Sequence, residues 1–281
     1  MTPIVFSNLF IAAAAALFAH QTYYLLGVEP RWSGLHLLVF CATLVVYNLD
    51  RLSGSAREDE VEASERHRWI DRRRLPLWGA VGAGAAGIVG SMFLLPVDVI
   101  LALIPLGVLS LAYSLPVLWG KSGPYRLKDI AGLKIFLIMF VWAGATGFLP
   151  AVEVFDDPFD PAVAAVVAER ALFIFAITLP FDIRDMARDR ASEIQTIPLA
   201  IGVERTRRLS IACIGLFAAG CALHYGVGLA SHGPPLLASA AITAWLLRRA
   251  APDLGELYYV GKLDGMIALQ WVLVAGWAEF V

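Results

Sequence analysis

The chain has 281 residues, 59% hydrophobic and 16% charged, with mean hydropathy +0.70 and net charge −2. This composition lies far from a soluble globular norm, and no basic field is present to attract nucleic acid. A hydrocarbon slab about 30 Å thick takes roughly 20 apolar residues per helix. Nine such segments are predicted, at about 3–26, 35–49, 77–95, 97–118, 130–149, 162–181, 209–229, 234–250 and 260–280. The expected fold class is therefore all-α, a polytopic membrane protein forming a single domain over 1–281. A soluble helical repeat would need polar faces that these segments lack.

The first segment has no basic n-region and no clear cleavage site, so it reads as a membrane helix and not a removed signal. The second ends in "VVYNLDRLSG", residues 45–54, where Asn48, Asp50 and Arg51 follow an unbroken apolar run. Helix capping or a plain interfacial end explains that pattern as readily as a binding site. The third, "LWGAVGAGAAGIVGSMFLL", is rich in Gly and Ala, which suits close helix packing. Pro105, Pro116 and Pro180 are expected to bend or end helices.

Lys134 lies about one turn into the fifth segment, where a lysine is costly unless paired or facing a cavity. It either faces a site or snorkels to the interface. The sixth segment runs into "LPFDIRDMARDRASEIQTIP", residues 179–198, with Asp182, Asp185 and Asp189. If helix continues, these stand at i, i+3 and i+7, within about a 60° arc, with Arg184 and Arg188 on the opposite side. Stacked like charges repel, so something positive should compensate. A divalent cation held by carboxylates and phosphates is one answer; a solvated helix end of mixed charge is the other.

Cys41, Cys213 and Cys221 all sit in apolar segments and read as small buried thiols. The five histidines form no ligand spacing. Lys and Arg gather in the loops after segments 2, 4, 6 and 8, whereas the loop after segment 5 carries Glu153, Asp156, Asp157 and Asp160. The positive-inside rule then puts the N-terminus and both acid-bearing motifs on the cytoplasmic side, in an inner (cytoplasmic) membrane.

"DIRDMARD" followed by "TIPLAIG" resembles the second aspartate-rich motif of the UbiA superfamily of intramembrane prenyltransferases. The R-D-x-x-x-D core is similar to the menaquinone-type branch. Nine helices, polar motifs after helices 2 and 6, and the basic stretch "LAYSLPVLWGKSGPYRLKDIAGLK" also match, so the resemblance covers nearly the whole chain. It departs at the first motif, usually N-D-x-x-D-x-x-x-D, which here reads N-L-D-R-L-S-G-S-A. One acid, Asp50, survives beside Asn48 unless Asp59 or Glu58 in the following loop bends back. Glu193 and Ile194 stand where a Gly-Lys pair is common. The Y-x-x-x-K pattern after helix 4 is broken too: Val117 follows Tyr113, leaving Lys121 or Lys128 to substitute.

The resemblance implies nine helices around a central cavity and transfer of an isoprenoid chain from a polyprenyl diphosphate to an aromatic or lipid-linked acceptor. Quinone precursors, porphyrin-type rings and lipid-linked sugars serve as acceptors in relatives. Mg²⁺ on Asp50, Asp182, Asp185 and Asp189 would activate the diphosphate. Asn48, Arg51, Tyr113, Lys121, Lys128 and Lys134 are the candidate substrate-binding groups. Tyr47, Phe136, Phe140 and Trp142 are candidate walls for the allylic chain. Two rival readings are a non-catalytic binder of isoprenoids or lipid diphosphates, and a cation-coupled transporter. Acids at the cytoplasmic boundary, away from the midplane, argue against transport.

Overall fold

The computed structural model describes residues 7–58, 73–120, 123–191 and 194–280. Lys121, Glu193, Asp59 and the side chain of Glu58 lie outside what is described. The elements are α1 (Leu9–Leu25), α2 (Gly34–Glu58), α3 (Arg74–Met92), α4 (Val97–Ser114), β1 (Leu118–Gly120), β2 (Gly123–Tyr125), α5 (Leu133–Val154), α6 (Pro161–Ala191), α7 (Ile197–Ile201), α8 (Val203–Tyr225), α9 (Gly233–Leu247) and α10 (Gly265–Ala278). The two strands form an antiparallel hairpin with Leu118 opposite Tyr125.

Among the described residues, six helices are long and apolar enough to cross a membrane: α2 as far as Leu52, α3, α4, α5, α6 and α8. α1 and α9 are apolar but shorter. The segment expected at 260–280 is divided. A π-helical turn at Leu257–Leu263 precedes α10, which keeps 14 residues.

Neighbour relations trace a ring: α1 packs on α2, α2 on α4, α4 on α5, α5 on α6, α6 on α8, α8 on α9, α9 on α10, and α10 on α1. α3 lies against α2 outside this ring. Its glycines set that approach. A Cβ on Gly84 would stand 2.7 Å from Val45 Cγ2, and one on Gly87 would stand 2.4 Å from Cys41 Sγ. Those distances are below van der Waals contact, so the two backbones meet at this spacing only because both side chains are absent.

α6 is the spine. It runs 31 residues, or roughly 46 Å at 1.5 Å per residue. Of the two outcomes expected at Pro180, a bend or an end, the end does not occur: the helix continues past Pro180 to Ala191. Pro180 is buried, and packing around it holds the helix across the one missing N–H. Phe173 joins α6 to α1 and α8 through Phe18 and Phe217, at ring-centroid distances of 5.8 and 5.3 Å. One turn earlier, the buried Arg170 guanidinium lies 3.6 Å from the centre of the Phe18 ring. It also donates to Gln21 Oε1 at 3.0 Å and Thr22 Oγ1 at 2.7 Å. The same rigid rod therefore anchors the core at one end and carries Asp182, Asp185 and Asp189 at the other.

Candidate active site

A cavity of about 760 Å³ lies inside the ring. Its deeper wall is apolar, with Ile11, Val46, Leu137, Ile138, Ile174 and Ile177 among the lining residues. Tyr47, Tyr113, Trp142 and Phe181 add aromatic surface, and Trp142 Nε1 donates to Tyr47 Oη at 3.2 Å. Phe136 and Phe140 do not line the cavity; 48% and 55% exposed, they face outward on α5.

Charged groups line the same space. The basic ones are Arg51, Arg126, Lys128, Lys134, Arg184 and Arg188. The acidic ones are Asp50, Asp129, Asp182, Asp185, Asp189 and Asp264. Lining charge is thus balanced, six against six, among the described residues.

On the α6 wall the helical spacing does what the sequence pattern requires, and all three aspartates face the cavity. The compensating charge comes from two places. Lys134, in the first turn of α5, donates to Asp182 Oδ1 at 2.7 Å. Arg184 Nε and Nη2 donate to Asp185 at 2.8 and 3.0 Å, and Arg188 Nη2 adds a third bond at 3.0 Å. This corrects the expectation that both arginines point away. Arg188 is i+3 from Asp185, and Arg184 is adjacent with a stem long enough to curl back. Asp189 differs from its neighbours. It is 4% exposed, and its Oδ2 has no hydrogen-bond partner among the described residues.

The opposite wall is built from α2 and the chain after the hairpin. A short 3₁₀ turn, Leu127–Asp129, follows β2. Arg126 is clamped to Asp129, with Nη2 to Oδ1 at 3.1 Å and the Arg126 backbone N–H to Oδ2 at 2.9 Å. Lys128 reaches across and donates to Asp50 Oδ1, with its ammonium 5.4 Å from the centre of the Tyr113 ring. Burial pulls the Lys128 ammonium below the ordinary lysine range, against the opposing pull of the Asp50 carboxylate. Arg51 lines the same mouth.

Asn48 is placed elsewhere. It is fully buried and does not line the cavity. Its Oδ1 accepts from Asn8 Nδ2 at 2.8 Å, and its own Nδ2 donates to Leu44 O at 2.9 Å. The amide therefore ties α2 to the start of α1. Asn8 reaches the cavity instead, and the sequence reading missed it. Asn8 caps α1 with φ 64°, the left-handed region that asparagine tolerates better than most residues. No charge or spacing marks it in the sequence. Asp264 and Phe181 were likewise not singled out as site residues.

Among the described residues, no three Asp, Glu, His or Cys side chains close around one point as metal ligands would. The donor chemistry nevertheless suits a hard cation. Oxygen donors dominate, one buried carboxylate oxygen is unsatisfied, and Mg²⁺ commonly takes one or two protein carboxylates with phosphate oxygens completing its shell.

Comparison with known proteins adds a family and a fold. Residues 9–252 match the UbiA prenyltransferase family. No curated protein matches the sequence. A UbiA homologue from Archaeoglobus fulgidus bound to GPP and Mg²⁺ superposes with TM-score 0.69 at 12% identity, covering 98% of this chain and 99% of that one. The same homologue bound to DMAPP and Mg²⁺ gives 0.68 at 11% identity, with 98% and 99% coverage. An apo UbiA homologue from Aeropyrum pernix K1 gives 0.58 at 17% identity, with 100% and 98% coverage.

Proposed function

The chain belongs to the UbiA prenyltransferase family, and on that premise we propose that it is a Mg²⁺-dependent intramembrane prenyltransferase. It takes a polyprenyl diphosphate and passes the isoprenoid chain to an aromatic or lipid-linked acceptor. The observation that carries this reading is a charged mouth, with acids and bases facing each other, opening onto an apolar, aromatic-walled cavity of about 760 Å³. That volume lies within the usual range for small-molecule sites, about 300–1,000 Å³. The A. fulgidus homologue holds GPP or DMAPP with Mg²⁺ on the same fold.

Asp182, Asp185 and Asp189, with Asp50 opposite, are the acids at the mouth from which ligands for Mg²⁺ would be drawn. Bound there, the ion would polarise the diphosphate oxygens and lower the cost of their leaving. Arg51, Lys128 and Lys134 supply fixed positive charge where the departing diphosphate gains negative charge. As the allylic C–O bond breaks, the electron pair leaves with the diphosphate, and the allylic carbon becomes electron-poor. The faces of Tyr47, Trp142 and Phe181 line the space that would hold it and keep water away. The acceptor's nucleophilic atom then forms the new bond and loses its proton. The R-D-x-x-x-D pattern that begins at Arg184 is similar to that of the menaquinone-type branch, so quinone precursors belong in the acceptor panel beside porphyrin-type rings and lipid-linked sugars.

We further infer a single domain with nine spans in the cytoplasmic membrane, the N-terminus and the charged mouth facing the cytoplasm. Cysteines introduced at 156–158 should react with an impermeant maleimide from outside, and those at 123–126 from inside. The reverse pattern would overturn the orientation.

Purified protein in detergent, given Mg²⁺, diphosphates of graded chain length and an acceptor panel, should release pyrophosphate and form a prenylated product. A second reading is a non-catalytic binder of isoprenoid diphosphates. The ion pairs that already satisfy Asp50, Asp182 and Asp185 favour it. Tight diphosphate binding with no pyrophosphate release from any acceptor would select that reading.

A further inference from the structure

Resting on the prenyl-diphosphate reading, we propose that this site works with one divalent cation, on the α6 wall, and that Lys128 and its neighbours take the place of a second. The two walls differ in charge and in what is left unsatisfied. Among the described residues on the side of α2 and the 3₁₀ turn, three bases, Arg51, Arg126 and Lys128, line the cavity with two acids, Asp50 and Asp129. Both acids are engaged there, Asp50 by Lys128 and Asp129 by Arg126. A cation at Asp50 would have to displace the Lys128 ammonium and then sit among like charges, which is unfavourable wherever water is partly excluded.

The α6 wall and the turn before α10 carry the opposite balance. Among the described residues, four acids, Asp182, Asp185, Asp189 and Asp264, line the cavity with three bases, Lys134, Arg184 and Arg188. An independent observation points to the same wall. Asp189 is 4% exposed and lines the cavity, and its Oδ2 has no hydrogen-bond partner among the described residues. A buried carboxylate oxygen left unpaired is costly, and a cation bridging it to a phosphate oxygen removes that cost. Asp182, held by a single lysine, is the partner carboxylate that can be released to the same ion. Asp185 is gripped by two guanidiniums and stays with them.

The diphosphate then bridges the walls, one phosphate on the α6 cation and the other on Lys128. The loss of acids from N-L-D-R-L-S-G is matched by a lysine brought in from the loop between α4 and α5.

The test counts metal directly. Mn²⁺ is titrated into the full chain in detergent and followed by electron paramagnetic resonance, with and without geranyl S-thiolodiphosphate, which resists ionisation. We expect one tightly held Mn²⁺ per chain with the analogue, lost in Asp189→Asn. Lys128→Met should weaken analogue binding about tenfold or more, as removal of a charge-assisted contact does, without changing the count of one. Lys128→Arg should recover most of that affinity, which a mere folding defect at the loop would not predict. Two Mn²⁺ per chain, or unchanged analogue affinity in Lys128→Met, would overturn the inference while leaving the prenyl-diphosphate reading intact. No analogue binding at any Mn²⁺ concentration would overturn both.

Discussion

The two walls of the cavity mouth differ both in charge and in how the chain builds them. On α6, acids and their arginine partners come from one stretch of helix, so their geometry follows from 3.6 residues per turn. On the other side, Asp50 comes from α2 and Lys128 from a turn 78 residues later in the chain. The first wall is an acidic surface partly quenched by its own arginines. The second is a basic surface with its acids already held. A wall built within one helix takes its charge from the helical repeat, whereas a wall built from distant segments takes it from whichever loop reaches it.

The sharpest way to break this contrast is to remove acids from the α6 wall. Asp189→Asn should lower turnover by about 10²–10³, the usual cost of losing a charge contact made in the transition state. Asp185→Asn should cost less than Asp189→Asn, because Arg184 and Arg188 already hold Asp185. Turnover at matched, folded protein measures the pair; the opposite order would make Asp185 the principal ligand.

Asp50→Asn probes the other wall and should cost roughly tenfold, since it frees Lys128 while removing little that α6 depends on. Diphosphate affinity in this variant should hold or rise, because Lys128 no longer has a carboxylate to leave. A loss as large as that of Asp189→Asn would make the two walls equivalent and dissolve the contrast.

The smallest effects should come from the aromatic wall. Trp142→Phe removes the indole N–H that bonds Tyr47 and should change turnover only a few-fold, the net worth of one neutral hydrogen bond being about 1 kcal/mol. Phe140→Ala, on the outward face, should stay within about twofold of the parent. Product yield across chain lengths checks both. A strong effect from Phe140 would mean that the outward face of α5 takes part in substrate entry.

The helical, membrane-type architecture is legible in the order of residues alone, because long apolar runs must satisfy their backbone internally. So is the face of α6 that carries Asp182, Asp185 and Asp189, because helical periodicity is local. Lys134 could be flagged from its position alone, since a charge one turn into an apolar helix must find a partner. Tertiary structure decided the rest. Whether Arg184 and Arg188 leave or embrace Asp185 depends on side-chain reach. Whether Asn48 faces substrate or ties down α1 depends on Asn8, 40 residues away and in a left-handed conformation that the sequence does not announce. Which lysine meets Asp50 depends on where the turn after β2 folds, and no periodicity reaches across 78 residues. Contacts within one helix follow from its repeat; contacts between helices and loops are fixed only when the whole ring closes.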